Sequence, residues 1–148
     1  MKKLFSLGLI VLLTLALLTA CGGASDGSKD KGAGNVTYKD GTYTAEEPEF
    51  DDHGWKAQIE IKVEGGKITE VNFDEVNQEG KKKSEDTEYI ERFKQQKNVD
   101  IVDAYDTLEK GLVEKQDPDA VDTYTGATGA TEKFKALAKE ALKEAQSK

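Results

Sequence analysis

Between Trp55 and Val63 the apolar residues fall at every second position, and this constrains the fold more than any other stretch. Trp55, Ala57, Ile59, Ile61 and Val63 alternate with Lys56, Gln58, Glu60 and Lys62. That is the period of a strand with one wet face and one face in need of cover. Glu64-Gly65-Gly66-Lys67 turns the chain, and Ile68 to Val76 returns it as a second, antiparallel strand. A strict two-residue loop at Gly65-Gly66 would set Val71 and Phe73 on the opposite face from Ile59 and Ile61. A three-residue loop with a glycine in the left-handed region, or a bulge near Thr69, restores the match. Upstream, Lys39-Asp40-Gly41 is a turn signal and Thr42 to Ala45 reads as a third, short strand.

From Ser84 the period changes to that of helices. Ser84 is placed to cap a helix whose apolar positions are Tyr89, Ile90 and Phe93, with Lys97-Asn98 as its stop. Asp100 is placed to cap the next, which carries Ile101, Tyr105, Leu108 and Leu112 and ends at Gln116-Asp117-Pro118. Ala120 to Tyr124 reads as a short extended piece. The last helix has one strong apolar stripe: Phe134, Leu137, Ala138, Ala141, Leu142 and Ala145. Strands first and helices after give an α+β layout, a small antiparallel sheet packed with about three helices.

The chain's beginning is of another kind. Lys2 and Lys3 precede Leu4 to Leu18, an uncharged apolar run that is short for a membrane span and right for a signal-peptide core. It ends Leu18-Thr19-Ala20-Cys21, which looks like a bacterial lipobox. On that reading residues 1–20 are a lipoprotein signal peptide, and Cys21, the chain's one cysteine, is lipidated and becomes the new N-terminus. The alternative is an ordinary secretory signal followed by an incidental cysteine. Residues 21–36 hold the lipidated Cys and a linker of Gly, Ser, Asp and Lys that cannot offset the entropy of ordering. Residues 37–148 form the domain. Loss of residues 1–20 takes two positive charges and no negative ones from the formal −8, leaving −10. An anionic membrane surface would repel such a body. The anchor must therefore be the acyl chains, palmitate among them, and more than one is needed for stable binding.

Composition removes several functional classes. No stretch combines basic and aromatic residues, and the net charge is negative, so nucleic acid is disfavoured as a partner. One Cys and one His leave no disulfide framework, no multi-Cys zinc site and no His-rich metal centre. Nucleotide-binding, zinc-protease and nucleophile-elbow motifs are missing, and no catalytic residues emerge. Asp51-Asp52-His53-Gly54 could hold a metal weakly, but a solvated turn is the commoner use of such residues, and no metal site is assigned. Lys81-Lys82-Lys83 reads as a solvated connection.

One segment stands apart: Asp122-Thr123-Tyr124-Thr125-Gly126-Ala127-Thr128, just before the last helix. A helix N-terminus offers unpaired N–H groups and the positive end of a dipole, which suit a phosphate. Gly126 and Ala127 keep the approach narrow-sided, and Thr128 brings a hydroxyl. Taken alone, Thr128 or Thr125 could simply be an N-cap.

The whole pattern resembles the D-x-x-[ST]-G-A-[ST] signature of the FMN-binding domain family. That family includes flavin-carrying subunits of sodium-pumping redox complexes and flavin lipoproteins of Gram-positive extracellular electron transfer. Lys39-Asp40-Gly41-Thr42-Tyr43 looks like its opening strand, Gly65-Gly66-Lys67-Ile68-Thr69-Glu70-Val71 like its hairpin, and Gln116 before Asp122 is also typical. The resemblance implies that a separate flavin transferase joins FMN by its phosphate to Thr128, with Asp122, Thr125, Gly126 and Ala127 as the recognition segment. Thr131 is the rival, because Thr128-Gly129-Ala130-Thr131 repeats the core, but Thr125 then stands where the motif wants Asp. The residues after the core, Gly129-Ala130, depart from many members. The implied partners are the transferase, the membrane, a membrane reductase or quinol donor, and an extracellular electron acceptor. The implied location is the extracytoplasmic face of the cell membrane. Such a protein is an electron carrier more than an enzyme with its own substrate. Trp55 and Tyr124 are candidates to stack on the flavin ring, with core packing the simpler role for Trp55. The competing expectation is a binding or signalling surface lipoprotein, including a pheromone precursor cut from Leu13 to Ala20, with no redox role.

Overall fold

The computed structural model describes residues 37–146. The signal segment, Cys21 and the linker lie outside the described residues. Three strands, β1 (Gly41–Glu46), β2 (Trp55–Glu64) and β3 (Lys67–Asn77), form an antiparallel sheet in the order β1-β2-β3. Three helices follow: α1 (Thr87–Lys97), α2 (Ile101–Lys115) and α3 (Thr128–Leu142). Single turns of 3₁₀ helix stand at Lys83–Glu85 and Pro118–Ala120. This is the expected small α+β fold.

The hairpin solves its register problem with a bulge. Glu64 pairs with Lys67 and Val63 with Ile68, but Lys62 pairs with Glu70, so Thr69 is the extra residue. The shift brings Val71 opposite Ile61 and Phe73 opposite Ile59, and all four are buried. The Thr69 hydroxyl donates to the Lys62 carbonyl at 3.3 Å, tying the bulge down.

Helix α3 covers β1 and β2, and α2 covers β3. Phe134 sits in the middle, fully buried, with its ring edge-on to Phe73 at 5.2 Å; Tyr105 also meets Phe73 edge-on, at 5.0 Å. The whole apolar stripe read for the last helix, Phe134 to Ala145, is buried. Asp100 caps α2 by accepting from the Val102 N–H, as its position suggested. Asn98 and Gln116 end α1 and α2 in the left-handed conformation that Asn tolerates and Gln rarely adopts.

Three local expectations need correction. Asp86, not Ser84, caps α1, accepting from the Tyr89 N–H. Ser84 lies in the preceding 3₁₀ turn, where its hydroxyl donates to the Asp74 carboxylate, a stronger acceptor than any backbone carbonyl in reach. Lys83 is not a solvated lysine: it is 4 % exposed and pairs with Glu75 at 2.8 Å. Ala120 is in a 3₁₀ turn rather than an extended piece, because Pro118 fixes φ at its first position and the Asp117 carboxylate accepts from the Asp119 N–H.

Gln116 explains its own unusual backbone. Its amide faces the free edge of β3, accepting from the Ile68 N–H at 2.8 Å and donating to the Ile68 carbonyl at 2.9 Å. One side chain thus does for that residue what a fourth strand would do.

Candidate functional site

The motif forms a turn and then a helix start. The Ala127 N–H donates to the Tyr124 carbonyl at 3.0 Å, closing Tyr124-Thr125-Gly126-Ala127 into a turn with Gly126 at its third position. Gly126 has φ +88°, which a type II turn needs there. It is also hemmed in: a Cβ at this position would lie 2.5 Å from Val99 Cγ2. No other residue fits both demands.

Ala127 is the N-cap of α3, buried, and it offers no side-chain acceptor. Neither Thr125 nor Thr128 caps the helix, so the N-cap role considered for their hydroxyls is not the one they have. The first bond within the helix runs from the Thr131 N–H to the Ala127 carbonyl at 3.0 Å. The N–H groups of Thr128, Gly129 and Ala130 precede it and face outward from the helix end. A Cβ on Gly129 would meet nothing within 4 Å, so the space beside this end is open. The first turn of α3 holds no acidic residue to occupy its positive end.

The two threonines of the repeated core differ sharply. Thr128, first residue of α3, is exposed. Thr131 is 1 % exposed, and its hydroxyl accepts from the Tyr124 N–H at 3.2 Å while donating to the Ala127 carbonyl at 3.1 Å. Thr131 therefore fastens the turn to the helix from inside, and Thr128 stands outside. Asp122, Thr125 and Gly126 are exposed on the same segment. Tyr124 is half-buried, and its hydroxyl donates to Asp103 at 2.6 Å, which also raises its pKa. Trp55 is 7 % exposed and belongs to the core wall.

A second cluster lies at the end of β3. Glu75 continues the inward alternation of Val71 and Phe73, so its carboxylate enters the protein. There it pairs with Lys83 at 2.8 Å and Lys133 at 2.9 Å and accepts from the Tyr105 hydroxyl at 2.7 Å. Lys133 reaches on to Asp51 at 2.8 Å and Glu47 at 3.4 Å. Burial pushes the Glu75 carboxyl up, but Lys83, Lys133 and Tyr105 outweigh it and hold it below its usual value. Asp51 is likewise raised by burial and then drawn down to about 2 by Lys133 and the N–H groups of Trp55 and His53. Burial depresses Lys83 despite its partner. Among the described residues no buried side-chain N or O atom is left without a partner, and the groups of this cluster are engaged with one another, as a structural network is. Sequence reasoning missed it, although a carboxylate on the dry face of a strand was a visible signal. Asp51 is committed to Lys133 and to its own turn, and His53 is exposed beside it. Among the described residues, no three His, Cys, Asp or Glu side chains come together to hold a metal.

The molecule is a small α+β domain in which a glycine turn leads into the last helix, with Thr128 exposed at that helix's N-terminus. No family model matches the chain. It is 35% identical over 106 residues to the 15 kDa lipoprotein of Treponema pallidum, covering 72% of this chain and 75% of the relative. The chain belongs to the family of that lipoprotein. Two solved structures are similar. The CPE2226 protein of Clostridium perfringens is 43% identical with a TM-score of 0.70, over 73% of this chain and 88% of that one. A Clostridium thermocellum protein solved by NMR is 31% identical with a TM-score of 0.50, over 72% and 91%.

Proposed function

We propose that the protein is a lipoprotein anchored through Cys21 at the extracytoplasmic face of the membrane, carrying FMN as a phosphoester on Thr128 and serving as an electron carrier. The observation that carries this reading is the contrast at the repeated core: Thr128 is an exposed hydroxyl at an uncapped helix start, and Thr131 is buried and doubly engaged. The residues present fit a phosphate-linked group. Gly129 borders open space, and the first-turn N–H groups of α3 can receive phosphate oxygens.

In the attachment step a transferase supplies FAD. The Thr128 Oγ1–phosphorus bond forms, the pyrophosphate bond of FAD breaks, the hydroxyl proton goes to a base of the transferase, and AMP leaves. The bound flavin supplies one- and two-electron redox chemistry. This chain's own part is to hold it and to keep it from being diluted away outside the cell, which a covalent link accomplishes. Kinship to a protein named a lipoprotein supports the anchor at Cys21.

The test is the intact mass of the chain produced with an active flavin transferase, followed by peptide mapping. A gain of one FMN less one water on the peptide containing Thr128, lost in Thr128→Ala, is the expected result. No gain, with the transferase active on a control substrate, refutes the flavin reading and leaves a binding or signalling lipoprotein.

A further inference from the structure

A shallow groove of about 570 Å³ opens between the start of β2 and helix α1. Its walls are Trp55, Tyr89 and Phe93; its rim holds His53, Arg92 and Lys97. The volume is in the range that binds small ligands. Three rare residues meet here: the only Trp, the only His and the only Arg of the chain. Tyr89 and Phe93 lie nearly parallel, centroids 5.9 Å apart with 20° between planes, and Trp55 meets Tyr89 edge-on at 5.4 Å. Both α1 aromatics are only half-buried, and α1 has no fully buried residue. An exposed aromatic surface of this kind suits a flat ring.

Charge and position narrow the occupant. The protein's net charge is −8, yet no Asp or Glu lines the groove. The larger concavity, by contrast, carries Glu46, Glu60, Asp74, Asp106 and Glu109. Arg92 lies over the Tyr89 ring at 5.7 Å, placing its cation at the groove's edge. A flat, electron-poor ring with carbonyl acceptors suits both the aromatic wall and this cationic rim. Lys97 connects the groove to the motif: a Cβ on Gly126 would lie 3.8 Å from the Lys97 carbonyl. The turn that leads into Thr128 therefore rests on the end of α1 that closes the groove.

We propose that this groove is the seat of the isoalloxazine ring of the flavin carried on Thr128, with Phe93 as its stacking face, Tyr89 held behind it by Lys83 and Arg92, and Arg92 at the rim to meet the ring's carbonyl oxygens. The inference rests on the attachment reading above. It moves ring contact away from Trp55 and Tyr124, whose surfaces are taken up by Tyr89 and Lys83 in one case and Asp103 in the other.

The test uses the full chain, loaded by a flavin transferase and purified in detergent, with attachment checked by intact mass in every variant. In the wild type the flavin fluorescence should be well below that of free FMN. Phe93→Ala removes the stacking face and should cut the ratio of seated to free ring about fivefold, seen as recovered fluorescence. Phe93→Leu, which keeps the apolar bulk and spares the fold, should recover fluorescence as well. Arg92→Gln, at an exposed position, should lower the flavin's reduction potential without changing the mass gain. Attached flavin that fluoresces like free FMN in the wild type, or that ignores all three substitutions, overturns the seat and leaves attachment standing. No mass gain in the wild type overturns attachment, and the seat with it.

Discussion

Replacing Gly126 by alanine should destabilise the domain by about 3 kcal/mol. Two costs add. An L-residue in a left-handed conformation costs about 1–2 kcal/mol, and the turn holds this position at φ +88°. The new methyl would also start 2.5 Å from Val99 Cγ2, well inside contact, and forcing it in costs about 1–3 kcal/mol. Val99 has little freedom to step aside, because a β-branched side chain is stiff at χ1. The assay is urea unfolding followed by the fluorescence of Trp55, the only and buried tryptophan. The two costs separate in a double-mutant cycle. Val99→Ala removes the obstructing methyl groups, so in that background Gly126→Ala should cost only the backbone share, about 1–2 kcal/mol. A loss under about 0.5 kcal/mol for Gly126→Ala alone, the level of an ordinary surface substitution, would refute the account. So would an equal loss with and without the Val99 side chain, since the close contact would then contribute nothing.

Three further outcomes follow from the same geometry. Thr131→Val should cost about 1–3 kcal/mol in urea unfolding, since it leaves the Tyr124 N–H without its acceptor, whereas Thr128→Ala should change stability by less than about 0.5 kcal/mol. Gln116→Ala unpairs both polar groups of Ile68 and should cost about 1–3 kcal/mol, with faster amide exchange at Ile68 as the local sign. Asp51 is held at about 2 and Glu75 below its usual value, so their contribution is present above about pH 4 and fades as pH falls toward 2. Lys133→Met should cost about 3 kcal/mol at pH 7 and flatten the acid limb of a stability–pH curve.

Much of the fold was legible because its signals are local and redundant. The alternation from Trp55 to Val63 and the stripe from Phe134 to Ala145 each name their buried face outright. The need for one extra residue in the hairpin also follows from them, since it puts Val71 and Phe73 on the side of Ile59 and Ile61; of the two ways to supply it, a longer loop or a bulge near Thr69, the structure has the bulge. What escaped depends on partners distant in sequence. Ser84 is as good a cap as Asp86 by type, and only Asp74, ten residues earlier, draws it away. Lys83 looks like its two exposed neighbours until Glu75 is seen waiting beneath it. At the motif, sequence could give the order of Thr128 and Thr131 but not which one faces inward. That depends on the phase of α3, set by Phe134 and Leu137 docking on the sheet.

The pairing of the domain's two ends has a mechanical side. Tyr38 forms a bridge with Gln146, and the Lys39 N–H donates to the Ala145 carbonyl at 2.7 Å. The backbone therefore enters and leaves this body side by side. A pull applied at the entry loads that short clasp and the bond from the Tyr38 N–H to Gly66 before it reaches the ladder between β1 and β2. The same closeness makes the fold a closed ring in all but covalent terms. Joining residue 146 to residue 37 by a brief link and cutting at an exposed loop such as Pro48-Glu49, between β1 and β2, should give a rearranged chain that folds to the same shape.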